Sequence, residues 1–507
     1  MISATRMLSL HPDDNIAVAL VDLAAGEAGS DAGPILIQAV KQGHKFAVAP
    51  ISAGENVLRY GQIIGQATCE IARGAHVHVH NLGMGEHTQD YAYARDAKAL
   101  DPAIETRTFD GYHRADGAVG TRNYLGILTS VNCSGSVARF IAEAAEKSGF
   151  LDDFPNIDGI VPISHSTGCG MSSDNEGYAT LHRTLAGYAQ HANFGGILLV
   201  GLGCEVMQIS ALVGGRPIRA DGALRYMTIQ HEGGTRKTIQ KGLQELRGIA
   251  ELANQTTRKP APVSHLMLGM QCGGSDGYSG ITANPALGAA SDLLVRHGGT
   301  TILSETSEIY GAEHLLTRRA VTQTVGKKLI DRVRWWEDYT ARNDGEMDNN
   351  PSPGNKRGGL TTILEKSLGA VAKSGSAPLS EVYLFGEKID TKGFVFMDSP
   401  GFDPCSVTGQ IASGANLIAF TTGRGSVSGY MPTPCVKIAT NSEMYQRMSD
   451  DMDVNCGDII TQGVSIADKG RAIFEMFIDV ASGKQTKSEE LGFGGVEFVP
   501  WQIGAVM

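Results

Sequence analysis

What this chain lacks narrows its class before any motif is read. No run of about 18 consecutive apolar residues occurs, which argues against a transmembrane helix and a membrane partner. The N-terminal MISATRMLSLHPDD has no continuous apolar core of the kind a secretory signal needs, so a cytoplasmic location is expected. The cysteines stand at positions 69, 133, 169, 204, 272, 405, 435 and 456, with no Cys-x-x-Cys pair, which argues against a structural zinc ribbon. In a reducing compartment these thiols are free for packing, metal binding or chemistry. A basic excess is missing as well. Lys and Arg number 43 against 54 Asp and Glu, for a net charge of -11, so a nucleic-acid partner is not expected. An anionic ligand would have to be caught by a few local cations and not by the overall field.

Glycine is abundant instead: 64 of 507 residues, roughly 13% against a usual share of about 7%. Glycine permits tight turns and close approach of backbone to a ligand. Its placement suggests many strand-to-helix turns. Residues 1–95 read as a small β-rich module, because NIAVALVDL, HKFAVAPI and AHVHVHN are short apolar or alternating runs. Residues 96–112 read as a connector. From 113 to 255 strands alternate with helices: YLGILTSV, IDGIVPISH and GGILLVGLG each lead through a Gly-rich turn into a helical stretch, which predicts a parallel sheet. TTRKPAPVS is a plausible boundary with two prolines, and a second α/β series fills 265–507. The expected fold is therefore α/β, with a β-rich module followed by two α/β domains with mainly parallel sheets. Residues 343–359, NDGEMDNNPSPGNKRGG, read as a long surface loop, a lid or a disordered segment.

In open α/β sheets ligands bind beyond the carboxyl ends of the strands. That rule selects Cys133, His165, Cys169, Cys204, Glu205, Cys272, Glu305 and Arg424. Packing is the competing role for any one cysteine. Cys133, Cys169 and Cys272, however, adjoin glycines at turns, where a thiol faces a crevice. Three such thiolates suit a soft metal or an iron–sulfur cluster with one open iron. His76, His78 and His80 alternate, and on a strand they would share one face and make a metal half-site. QCGGSDGYSG, with Ser275 and Asp276, is rich enough in glycine to cradle a carboxylate, and Arg424 in TTGRGSVSG can hold one bidentately. Glu305, Glu308 and His165 are the candidates for proton transfer.

These motifs, taken in order, resemble the altronate/galactarate dehydratase family. The resemblance runs from DDNIAVALVDL and HVHVHN, in a module like the SAF domain (a β-clip), through GYHRADGAVGTRNYLGI, STGCG, GILLVGLGCE, QCGGSDGYSGITANPALG, ILSETSEIYGAEHLL and FTTGRGSVSGYMPTPCVKIATN to DDMDVNCGDI. It implies a hydro-lyase that converts D-altronate or a related aldonate or aldarate to a 2-keto-3-deoxy acid with iron(II); manganese(II) and an iron–sulfur cluster are the alternatives. It adds Arg122 and Asn123, in GTRN, as substrate ligands beside Arg424, and points to His78 and His80 among the histidines. The C-terminal motifs look closer to altronate dehydratase. A homo-oligomer acting on a small sugar acid is expected. The competing readings are a carbon–sulfur lyase acting on sulfolactate and a sugar-acid binding protein without catalysis.

Overall fold

The computed structural model describes residues 6–31, 33–85, 89–214 and 223–504; the first five residues of the N-terminal stretch read above lie outside them. The fold is α/β, with an antiparallel N-terminal module followed by two domains built on parallel sheets. In the module, Met7–Leu8, Ile16–Ala19, Lys45–Ala47 and His76–Val77 form one antiparallel sheet, and Asn56–Arg59, Gln62–Ala67 and Leu82–Gly83 form another. The histidine strand is shorter than its alternation predicts. Asn81 ends it: the His78 N–H donates to the Asn81 side-chain oxygen at 2.9 Å, and the Asn81 N–H donates back to the His78 carbonyl at 3.0 Å. The chain turns there, and His80 is exposed with its ring 5.7 Å from that of His76.

The second domain holds four parallel strands in the order Gly159–Ile163, Tyr124–Thr129, Phe194–Gly201, Leu224–Thr228. Tyr124–Thr129 and Phe194–Gly201 are buried along their whole length, as continuous apolar runs must be when helices cover both faces of a sheet. Helix Gly135–Lys147 supplies one cover, burying Val137, Ala138, Ile141, Ala142 and Ala145 at the three-to-four spacing of a helical stripe. Two segments read as connector and boundary are in fact strands. Thr108–His113 and Lys259–Pro262 pair antiparallel and tie the entrance of the domain to its exit. The prolines are tolerated because Lys259–Pro262 lies at the sheet's edge.

The third domain carries seven parallel strands. Met267–Cys272 comes first and stays in the middle. The chain then builds outward through Thr300–Leu303 on one side and returns through Leu417–Thr422 on the other. This reversal opens a crevice above the carboxyl ends of the central strands. The loop at 343–359 is ordered and local: it contains the turn Met347–Asn349 and the short helix Pro353–Arg357, whose N-terminus is capped by Ser352 and Asn355. Asn355 is buried and donates to the Ser275 carbonyl at 2.9 Å, which straps the loop to the crevice.

The N-terminal module docks on the third domain of its own chain. Lys45 and Arg59, both from the module, meet Glu365 at 2.8 Å and 2.5 Å, and all three are buried. The Gly43 turn lies directly against Gly277; a Cβ at Gly277 would collide with the Gly43 carbonyl oxygen. No helix among the described residues is long and apolar enough to cross a membrane.

Candidate active site at the carboxyl edge of the third sheet

Two adjoining groups of side chains occupy the crevice. The inner one is buried. Cys272 ends the central strand, Glu305 follows Thr300–Leu303, Glu308 closes the next turn, and Asp403 opens the helix Asp403–Ala412. Lys366 and Lys373 reach in from the helix Ile363–Val371 and the turn after it. The Lys373 ammonium lies 2.9 Å from Cys272 Sγ and 3.3 Å from Glu305, while Lys366 lies 2.6 Å from Glu308. Asn350, from the strap, donates to Glu308 at 2.8 Å. Glu305 has a left-handed backbone, φ 69°, which costs a non-glycine residue about 1–3 kcal/mol. Its N–H is held by Ser399 Oγ at 3.0 Å. Strain of this kind collects where a side chain must be aimed.

The electrostatics follow from burial. Desolvation, and then the neighbouring Glu308, push the Glu305 carboxyl well above the usual range. The same causes push Asp403 up to about 7. Burial drives the Cys272 thiol up to about 12 against the pull of Lys373. Lys373 keeps its proton because the surrounding acidic groups outweigh its own desolvation. The group therefore stores protons at neutral pH. It also passes a test as a metal site. The ligand atoms of Cys272, Glu305 and Glu308 lie within 4.8 Å of one another, the one such group among the described residues. Glu305 Oε1 is buried with no hydrogen-bond partner, a cost that a cation would remove. One thiol and two carboxylates form a donor set suited to a divalent transition metal.

The outer group lines a cleft of about 750 Å³ between the N-terminal module and the third domain. Lys41, Lys356, Arg357, Arg424 and Arg447 outnumber Asp22, Asp276 and Glu443 on its wall. A chain with net charge -11 thus presents a locally cationic cleft, where an anion is held by proximity. Three imidazoles project into it. His44 Nδ1 and His76 Nε2 are 3.1 Å apart and share one hydrogen, and the rings of His44, His76 and His78 lie 5.2–5.3 Å from one another. Burial, and then mutual repulsion with His44 and His78, hold His76 at about 3; burial likewise holds His78 at about 4. Both rings are therefore neutral at pH 7, with lone pairs available as bases or ligands. The strap contributes here too, since the Lys356 carbonyl accepts from His78 Nε2 at 2.9 Å.

The residues singled out from the sequence divide into two sets. Cys272, Glu305 and Glu308 meet in the inner group. His78, Asp276 and Arg424 meet at the cleft, with Ser275 and Asp276 on the small cavity between the two groups. Arg424 is exposed and its guanidinium has no protein partner among the described residues. Asp276 is saturated by Thr440, Asn441, Ser279 and the Tyr278 N–H, which makes it an anchor for Asn441 on the wall. The structure sets five of the expected residues apart from both groups. Arg122 is buried, and all five of its N–H groups are committed: two to Glu489 and three to the carbonyls of Thr121, Val480 and Lys484. Asn123 is buried too and bridges Arg114 to the carbonyls of Asn156 and Ala253. His165 sits in the second domain's interior, with both ring nitrogens bound to backbone at Thr129 and Thr167, and burial lowers it to about 4. Cys133 and Cys169 are exposed on the second domain and do not join Cys272. His80 is exposed but keeps its ring 5.7 Å from that of His76, at the edge of the imidazole group that His44 joins from the cleft side. Sequence reading missed His44, Lys366 and Lys373. The lysines left a signal, two cations seven residues apart in the mostly apolar ILEKSLGAVAK, whereas His44 left none.

Buried acidic groups and candidate metal ligands behind a cationic, imidazole-lined cleft are an arrangement suited to acid–base chemistry on a small anion. Comparison with known proteins makes the assignment specific. The family model for the altronate/galactarate dehydratase SAF domain matches residues 5–85; those for the D-galactarate dehydratase/altronate hydrolase second domain and the D-galactarate/altronate dehydratase C-terminal domain match residues 111–254 and 263–506. The chain is 38% identical over 501 residues to galactarate dehydratase (L-threo-forming) of Escherichia coli, covering 96% of this chain and 94% of that one. It is 36% identical over 498 residues to altronate dehydratase of the same organism, covering 96% and 97%. The beta subunit of (2R)-sulfolactate sulfo-lyase from Chromohalobacter salexigens is 32% identical over 397 residues, 77% of this chain and 96% of that one. The chain belongs to the altronate/galactarate dehydratase family, and its relatives there are hydro-lyases. Identities of 38% and 36% do not choose between the two sugar acids.

Proposed function

We propose that the cleft binds a sugar acid, D-altronate or a related aldonate or aldarate such as galactarate, and eliminates water to give a 2-keto-3-deoxy acid. The observation that carries this reading is the cationic cleft with three neutral imidazoles on a strongly acidic chain. Arg424 pairs with the substrate carboxylate, and Lys356 and Arg357 add charge beside it. A neutral imidazole takes the proton α to the carboxylate, and the electron pair left behind forms the carbon–carbon double bond as the β-hydroxyl departs. The hydrogen shared by His44 and His76 lets a proton accepted on one ring pass to the other and on to the leaving hydroxide, which departs as water. The enol tautomerises to the keto acid. A divalent metal bound by Cys272, Glu305 and Glu308, which we take to be iron(II), would supply Lewis-acid polarisation.

Keto-acid formation is measured over a panel of aldonates and aldarates, anaerobically, with iron(II) or manganese(II). The expected result is turnover of D-altronate or galactarate that chelation abolishes. No turnover of any sugar acid would sink the proposal. Sulfite release from sulfolactate, without sugar-acid turnover, would move the chain to carbon–sulfur lyase chemistry.

A further inference from the structure

Of the seven cysteines outside both the cleft and the inner group, three stand on one sheet edge. Cys133, Cys169 and Cys204 are all exposed, although cysteine is among the residues most often buried. Each follows a different strand of the second domain's parallel sheet: Tyr124–Thr129, Gly159–Ile163 and Phe194–Gly201. Those strands are direct neighbours with Tyr124–Thr129 in the middle, so the three loops leave the same carboxyl edge side by side. The strand order reverses between Tyr124–Thr129 and Phe194–Gly201, the crevice position of an open α/β sheet.

The loops are bound to one another. The Asn132 N–H donates to the Thr167 carbonyl at 3.0 Å, and the Met207 N–H to the Gly168 carbonyl at 3.0 Å. Gly168, at φ +99°, makes this possible, since a Cβ there would strike the Ser130 carbonyl oxygen. Two details suit a metal-bound sulfur. Cys133 stands in the turn that opens the helix Gly135–Lys147, whose field favours a negatively charged group beside it. Cys204 Sγ accepts a hydrogen bond from Gln230 Nε2 at 3.4 Å. The Glu205 carboxylate, next to Cys204 in the chain, is turned inward to the Ser130 hydroxyl and the N–H groups of Leu202 and Gly203.

We propose that Cys133, Cys169 and Cys204 are the ligands of an iron–sulfur cluster of the four-iron, four-sulfide kind, with the fourth iron open to a non-protein ligand. The three sulfurs do not converge as the Cys272, Glu305 and Glu308 atoms do. A single metal ion needs that convergence, whereas a cubane spreads its thiolates around four irons. The site stands apart from the substrate reading above and does not depend on it.

The test is transfer of a preformed cluster from its small-thiol complex to the purified chain under argon. Three protein thiols displace three small thiolates, which leave carrying the protons, and no electron moves. Wild type and Cys69→Ser are expected to take up about four iron and four labile sulfide per chain, with visible absorption that bleaches in air. Cys133→Ser, Cys169→Ser and Cys204→Ser are each expected to take up none while melting as wild type does, because the substituted thiols are exposed. Maleimide labelling reads the same assignment without substitution. Four exposed thiols react before transfer and Cys69 alone after it. Lack of sulfide uptake by wild type, full uptake by any of the three variants, iron without sulfide, or unprotected thiols after transfer each overturn the proposal.

Discussion

Replacing Glu365 with Gln tests what clamps the N-terminal module over the cleft. Glu365 receives Lys45 and Arg59 across the interface and the Thr361 N–H and hydroxyl from its own helix end, all in a buried setting. Burial alone would raise its carboxyl; the charges of Lys45 and then Arg59 overturn that and hold it at about 2 against an ordinary 4.5. That displacement corresponds to about 3 kcal/mol favouring the charged form in the docked state. Removing one member of a buried ion group costs about 3–5 kcal/mol, because the remaining charges stay desolvated. The two figures agree. Glu365→Gln is therefore expected to raise the opening equilibrium roughly 150- to 4000-fold, at about 1.4 kcal/mol per tenfold. Hydrogen exchange at the Gly277 and Gly359 amides, which the Gly43 turn covers, reads that opening. The wild type adds a sign: the contribution is complete above pH 4.5 and fades as pH falls towards 2, so acid should open the same amides. Unchanged exchange at those amides in Glu365→Gln would refute the clamp.

Two further outcomes follow from the site. Arg424→Gln removes an exposed guanidinium that the proposal pairs with substrate; a loss of about 1.5–3 kcal/mol, or roughly 10- to 150-fold in kcat/KM, is expected with no change in melting. Steady-state kinetics on the turned-over sugar acid decides it, and an unchanged KM would remove Arg424 from the substrate's path. Arg122→Gln, by contrast, strands Glu489 without its partner in a buried setting and should cost about 3–5 kcal/mol of stability, read by denaturant unfolding, while KM in the folded fraction stays the same.

The α/β architecture was legible because its causes are local. Continuous apolar runs such as GGILLVGLG can be satisfied only between two covering layers, and the glycines after them permit the turns. The strand-end rule reached Cys272, Glu305 and Arg424 for the same reason: a residue's position along a strand is written in the chain. The same rule also picked His165, and the family resemblance picked Arg122 and Asn123, all three of which the fold ties to protein groups away from the crevice; a polar residue that binds substrate and one that binds backbone have the same letter. The 343–359 segment looked like loop because it is rich in Gly, Pro and Asn, yet Ser352, Asn355 and Asn350 use those polar groups to strap it across the crevice.

By itself, then, the sequence determined the three-part order, the parallel sheets, the acidic overall charge and the pool of thiols, imidazoles and guanidiniums at strand ends. These depend on periodicity and composition within windows of a few residues. Only the tertiary structure decided which members of that pool meet. His44 joins His76 because antiparallel pairing brings together positions 32 apart in the chain, and Lys373 reaches Cys272 across 101 positions. It parted Cys272 from Cys133 and Cys169, which lie on different sheets, and set Cys204 on the loop beside theirs. Such distances are set by packing and strand order, and neither is written in any local stretch of residues.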